Sequence, residues 1–270
     1  MLLWEWIAVA YFSYLAAIAL VRHRHARARW PALAAATIGW SLMAMSAAQS
    51  RDGIHPAAVV PSVLALTALL GGYWISGLFF VRPMTAVENW LVRIDAALLH
   101  RSRLLLRYYS SPRLVQNYFE LAYLLVYLVV PAGAAVLGIG GHGHEIGYFW
   151  TVVLLSAYAS YGVLPWIQTR PPRALGGEAD PPRVLLRRLN LAILSRSSIQ
   201  ANTIPSGHAA CAMATALAVG AAMPIAGTAL MILAASITIA TVLGRYHYAV
   251  DSILGVLVGM GAWAVVTFLI

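Results

Sequence analysis

Three short segments carry residue types whose spacing suits phosphoryl chemistry. The first is Ile204, Pro205, Ser206, Gly207 and His208, running on into a small-residue stretch from Ala209. Pro205 suits a helix start, and Ser206 and Gly207 then offer backbone N–H groups at the positive end of the helix dipole, a cradle for an anion. His208, in that first turn, stands beside any bound phosphate, where a general acid or base is needed. Such a run is also an ordinary turn when it stands alone. The second segment holds His247 and Asp251, four apart. On a helix they share a face, so the carboxylate takes one ring N–H and leaves the other nitrogen as a lone-pair nucleophile. Pairs of this kind also occur as plain structural contacts; a place at the end of an apolar span weights the functional reading. The third segment, Thr169, Arg170, Pro171, Pro172 and Arg173, puts two guanidinium groups on a proline-stiffened turn. Arg170 and Arg173 there suit chelation of phosphate oxygens, and equally suit anchoring at a span's end.

The elements that must position these segments are apolar. With 61% apolar and 10% charged residues in 270, the chain falls among membrane proteins rather than soluble domains. The expected fold is all-α: a polytopic membrane helix bundle of about eight transmembrane helices with interfacial amphipathic helices. The spans fall near Leu3 to Val21, Trp30 to Ala48, Ala57 to Phe80, Tyr118 to Leu137, Tyr148 to Ile167, Ser206 to Ala222, Ile225 to Leu243 and Tyr246 to Ile270. Gly71 with Gly72, and Pro131 with Gly133, mark expected kinks. The N-terminus lacks the basic start of a cleaved signal peptide, so the first span is expected to stay. Two connectors read as helices on the membrane surface. In Val87 to Tyr109 the stripe is Val87, Leu91, Ile94 and Leu98; in Arg183 to Ile199 it is Leu185, Leu186, Leu189 and Ile193.

Charge sets the expected orientation. The formal charge is +9 and every basic residue is arginine. The arginines crowd the loops after the first, third, fifth and seventh spans (Arg22, Arg24, Arg27 and Arg29; Arg82 to Arg113; Arg170 to Arg196; Arg245), with only Arg51 in the alternate set. The positive-inside rule puts those loops, and all three segments, on the cytoplasmic side, expected here to be that of a bacterial inner membrane, with both termini outside. Membrane lipids are the partners such loops imply; nucleic acid is not. The single Cys211 excludes an internal disulfide and reads as a packed thiol.

In their order the three segments resemble the type-2 phosphatidic acid phosphatase superfamily, whose pattern is a basic residue, Arg-Pro, Pro-Ser-Gly-His, Ser-Arg, then His with Asp four residues later. The resemblance covers roughly Tyr118 to Ile270 and leaves the first three spans outside it. It divides the chain into an N-terminal part, residues 1–117, and a phosphatase-like catalytic bundle, residues 118–270, within one membrane domain. It implies His247 as nucleophile, Asp251 as its orienter and His208 as leaving-group acid. It also implies Arg170, Ser206, Gly207 and an arginine near His247 around the phosphate, with no metal or cofactor. Two positions depart from the pattern. Val163 stands where the family has its lysine, which gives Arg173 the missing charge, and Thr241 stands where it has its late arginine, which leaves that role to Arg245. These departures look more like the branch of inositol phosphorylceramide synthases, which includes transferases.

The expected activity is therefore metal-independent hydrolysis of a phosphorylated lipid through a phosphohistidine. Transfer to an alcohol acceptor is the alternative, and a non-catalytic lipid transporter the third reading; the oligomeric state is left open. Among secondary residues, Glu120, Tyr123 and Tyr127 share a helical face, where Glu120 suits pairing with a catalytic arginine. His142 and His144 lie in a glycine-rich loop and read as solvated rather than metal-binding, and Gly255 with Gly259 reads as helix packing.

Overall fold

The computed structural model describes residues 2–22, 26–51, 59–100, 103–176 and 184–269, and among them the chain is helical, with one isolated antiparallel bridge, Thr169 to Asn202. Arg24, Arg101 and Arg183, expected to face headgroups, lie outside the described residues.

The helices are α1 (Leu3–Val21), α2 (Ala26–Arg51), α3 (Val59–Gly77), α4 (Thr85–Asp95), α5 (Leu104–Tyr109), α6 (Arg113–Leu124), α7 (Val126–Ile139), α8 (Ile146–Tyr161), α9 (Leu185–Ser197), α10 (Gly207–Ala222), α11 (Pro224–Leu243) and α12 (Ala249–Phe268). Each expected span has its helix. Among the described residues four helices, α1, α3, α11 and α12, are long and apolar enough to cross a bilayer, and a fifth crossing results if α6 and α7 act as one. The α8 and α10 helices have 16 residues each, short of a full crossing at 1.5 Å per residue.

The bundle is organised on α10, which packs against α7, α8, α11 and α12. Its alanines make this possible: Ala209, Ala210, Ala212, Ala214, Ala216 and Ala218 are all buried, so neighbouring backbones come close. The expected packing pair on α12 sits against this helix. A Cβ added at Gly255 would run into the Ser206 carbonyl oxygen, and one at Gly259 into that of Ala210. The α12 backbone, and Asp251 with it, is thereby pressed against the start of α10. The α1 helix packs on α2 and α8, with Tyr11 stacked on Tyr158 at 4.0 Å between ring centres.

Three local features differ from expectation. The bend in the fourth span, 61°, falls between α6 and α7 at Leu125, while Pro131 is accommodated inside α7. The two halves pack on different partners, α6 on α9 and α11 and α7 on α10 and α8, and the break lets each do so. Val87 to Tyr109 is not one helix but α4, a π-helical turn (Ala96–His100) and α5. Its buried face is Glu88, Leu91 and Asp95, while Leu98 is exposed. In α9 the buried residues are Arg187, Asn190 and Leu194, with Leu185 and Leu189 exposed. Both helices therefore turn polar side chains, Glu88 and Asp95 on α4 and Arg187 and Asn190 on α9, toward the bundle beside one leucine each, Leu91 and Leu194.

Candidate active site

All three segments meet at one end of the bundle. The turn between α11 and α12 carries Arg245 to Tyr248, and α12 begins at Ala249, so His247 stands just before the helix and Asp251 in its first turn. The His247 Nδ1 lies 3.1 Å from Asp251 Oδ2, and its Nε2 lies 3.0 Å from Nδ1 of His208 in the first turn of α10. With the Asp251 carboxylate accepting from Nδ1–H, Nε2 carries the lone pair. Asp251 is fully buried, His247 nearly so, and His208 half-buried. Burial first, and then the Arg173 charge, push the His247 imidazole well below its ordinary range, so the ring stands neutral.

Asn202, which the sequence did not single out, ties the segments together. Its backbone N–H donates to the Thr169 carbonyl at 2.7 Å, and its side-chain amide donates to Asp251 Oδ2 at 2.8 Å. One residue thus links the arginine turn, the loop before α10 and the histidine's carboxylate. Its only sequence signal is its place three residues ahead of Pro205.

The expected anion cradle is partly occupied by the protein itself. The Ser206 N–H donates to the Asp251 carbonyl, and the Gly207 N–H to the Thr203 hydroxyl at 3.2 Å. The Ser206 hydroxyl caps α10, accepting from the Ala209 N–H at 3.4 Å.

The arginines part company. Arg173 reaches back to the histidine turn: its N–H donates to the Arg245 carbonyl at 3.0 Å and Nη1 to the Tyr246 carbonyl at 3.4 Å. Arg170 is held by Glu88 of α4, which accepts from its backbone N–H at 2.8 Å, Nε at 3.1 Å and Nη2 at 2.9 Å. This pairing holds the Glu88 carboxyl below the usual carboxylate range. Arg245, in left-handed backbone conformation (φ 58°), lines a cavity of about 250 Å³ together with Asp95, Leu99, Arg103 and Tyr248. Neither His208 nor His247 borders that cavity.

Glu120 does pair with an arginine, but with Arg187 of α9 rather than with one of the expected site arginines. Arg187 Nη1 donates to Glu120 Oε1 at 2.9 Å and to the Gly244 carbonyl at 3.1 Å. The Tyr246 hydroxyl donates to Glu120 Oε2 at 2.6 Å, and the Asn190 amide to the same oxygen at 2.7 Å. Tyr123 stacks on Tyr246 at 3.6 Å, and Tyr127 flanks His208 at 6.4 Å between ring centres. Among the described residues no group of three or more His, Cys, Asp or Glu side chains could hold a metal ion. The His142 ring bonds the Gly140 carbonyl, and His144 pairs with Glu145.

A second cavity, about 210 Å³, opens at His208 and Gly207. Leu66, Leu69, Leu70, Trp74, Val126 and Val130 line its apolar reach. One wall is α3, from the part of the chain ahead of the recognised motifs.

Neither curated proteins nor solved structures give a match to this chain. The model of the PAP2 superfamily matches residues 149–270, a stretch that starts in α8 and leaves α1 to α7 outside. This stretch holds Arg170, Arg173, Ser206, Gly207, His208, Arg245, His247 and Asp251, so every residue expected at the site falls within the part of the chain that the PAP2 superfamily model matches.

Proposed function

We propose that the chain is an integral membrane lipid phosphate phosphatase working through a phosphohistidine on His247. The observation that carries this reading is the unbroken line Asp251, His247, His208, with contacts of 3.1 and 3.0 Å, whose last member, His208, borders an apolar cavity. A phosphate monoester on an alkyl chain fits such a site: the chain lies along Leu66, Leu69 and Val130 and the phosphate reaches the histidines.

The chemistry runs in two steps. His247 Nε2 attacks phosphorus, and the bond from phosphorus to the lipid oxygen breaks while His208 delivers a proton to that oxygen. His208, now without the proton, takes one from water; the water oxygen attacks phosphorus, the N–P bond breaks, and inorganic phosphate leaves. Asp251 keeps the His247 Nδ1–H in place and offsets the positive charge that the ring gains on phosphorylation. In the resting protein the two reactive rings bond each other, so the phosphate enters by parting them. Arg173 is the cation closest in effect to the pair, as its influence on His247 shows. Arg170, Arg245, Ser206 and Gly207 complete the phosphate surroundings in this reading.

Hydrolysis is tested by release of inorganic phosphate from a lipid phosphate in EDTA by the purified protein, with none from H247A. Activity retained in H247A would sink the mechanism. The burial of His247 and Asp251 favours a second reading, phosphoryl transfer to an alcohol, because a covered site keeps water from the intermediate. Product analysis with and without an added lipid alcohol separates the two.

Arg22, at the end of α1, lies 3.8 Å from the ring centre of Trp166, four residues ahead of Arg170. We place the site's end of the bundle in the cytoplasm on the charge rule. Labelling a cysteine introduced at Arg188 in intact cells tests the placement.

A further inference from the structure

The arginine turn and the histidine turn are joined on one side by a helix outside the matched stretch. Glu88 and Asp95 are seven residues apart on α4, on the same face, and both are buried. Glu88 takes three donors of Arg170: the backbone N–H, Nε and Nη2. Asp95 Oδ1 accepts from the Ala249 N–H at 2.8 Å, satisfying a first-turn donor of α12 between His247 and Asp251. The loop leading into α4 is sewn to the same turn. Gln168 accepts from the Val81 and Arg82 N–H groups through its side chain, donates to the Phe79 carbonyl, and accepts from the Met84 N–H through its backbone.

The way Glu88 binds is informative. A guanidinium has two edges suited to an oxyanion, one formed by Nε with Nη2 and the other by the two Nη atoms. Glu88 occupies the Nε edge, so the Nη1 edge is left to receive a second anion in a fixed direction. A carboxylate whose task was to neutralise Arg170 alone would not also need its backbone N–H.

We propose that Glu88 is a positioning residue for the phosphate site: it fixes the Arg170 main chain and guanidinium so that the Nη1 edge is presented to a phosphate oxygen, while Asp95 on the same helix face fixes the start of α12 and so His247. The inference rests on the phosphoryl-transfer reading of the site, and it makes α4 part of the active site although α4 lies outside the superfamily match.

The test is equilibrium binding of orthovanadate, a phosphate analogue, to the full chain in detergent, which needs no turnover. E88Q is expected to bind at least tenfold more weakly, E88D to recover much of the loss, and R170Q to bind as weakly as E88Q. The E88Q/R170Q double variant should be no weaker than R170Q, since Glu88 acts through Arg170. Wild-type affinity in E88Q, or losses that simply add in the double variant, would overturn the proposal. Thermal midpoints guard against misfolding. If E88Q lowers midpoint and binding together, and the double variant, which leaves no buried unpaired charge, restores both, the pair is only structural and the proposal falls. A wild-type protein that binds vanadate but hydrolyses no lipid phosphate would end the phosphatase reading and leave this one standing. A wild-type protein that binds none overturns both.

Discussion

Two carboxylate–arginine pairs flank the histidine turn, and they are built differently. Glu120 and Arg187 are sealed in, with side chains 1% and 7% exposed, and their network includes Tyr246, Asn190 and the Gly244 carbonyl. Glu88 is as buried as its counterpart, but its partner Arg170 is 41% exposed. The first pair faces protein on every side and holds the turn that carries His247. The second has one partner at the surface of the site, where a ligand can reach it. The contrast separates a pair enclosed by protein from one whose arginine is open to solvent, as the proposed phosphate-binding role of Arg170 requires.

The largest effect should come from breaking the sealed pair. E120A leaves the Arg187 charge buried without its carboxylate, and loss of one partner of such a pair costs about 3–5 kcal/mol. Thermal unfolding in detergent should show this loss, and activity should fall with it because Tyr246 precedes His247. An E120A protein as stable as wild type would remove the distinction drawn above.

A smaller effect is expected at the second pair, and pH exposes it. Because Arg170 holds the Glu88 carboxyl below its ordinary value of 4.5, the stabilisation is complete above that value and is lost as pH falls through the folded-state value. The thermal midpoint of wild type should therefore drop more steeply than that of E88Q as pH is lowered below 4.5. Parallel curves would show that the pair contributes nothing.

The smallest change concerns Arg173. Its charge adds to burial in keeping His247 neutral, so R173Q should let the ring take up a proton at higher pH. The acid limb of the pH–rate profile should move upward in R173Q, by less than the overall loss in rate. An unmoved limb would mean that Arg173 does not act on the nucleophile.

The His247–Asp251 contact and the start of α10 were legible in the sequence because they are local. His247 and Asp251 are four residues apart and the run from Pro205 to His208 marks a helix start, so the pairing and the helix start follow from spacing, while the roles come from the resemblance. The supports were not legible because their partners are distant: Glu88 bonds Arg170 across 82 residues and Arg187 bonds Glu120 across 67. The apolar stripes of the two surface helices held in part: Leu98, Leu185 and Leu189 are exposed, whereas Leu91 is buried between Glu88 and Asp95, and periodicity gave no sign that these carboxylates face the bundle. Glu120 was picked out as an arginine partner, yet which arginine depended on the bend at Leu125 and the docking of α9 on α6. The match begins at residue 149, later than the resemblance from Tyr118, so α6 with Glu120 and Tyr123 joins the site through packing rather than motif.

The central claim is that His247 becomes covalently phosphorylated. Incubating the protein with a lipid phosphate carrying ³²P, quenching in alkali and mapping the label tests it directly. The account predicts label on His247 that is stable in base and labile in acid, absent from H247A. Label on another residue, or phosphate release by a wild-type enzyme that never acquires label under rapid quenching, would contradict it.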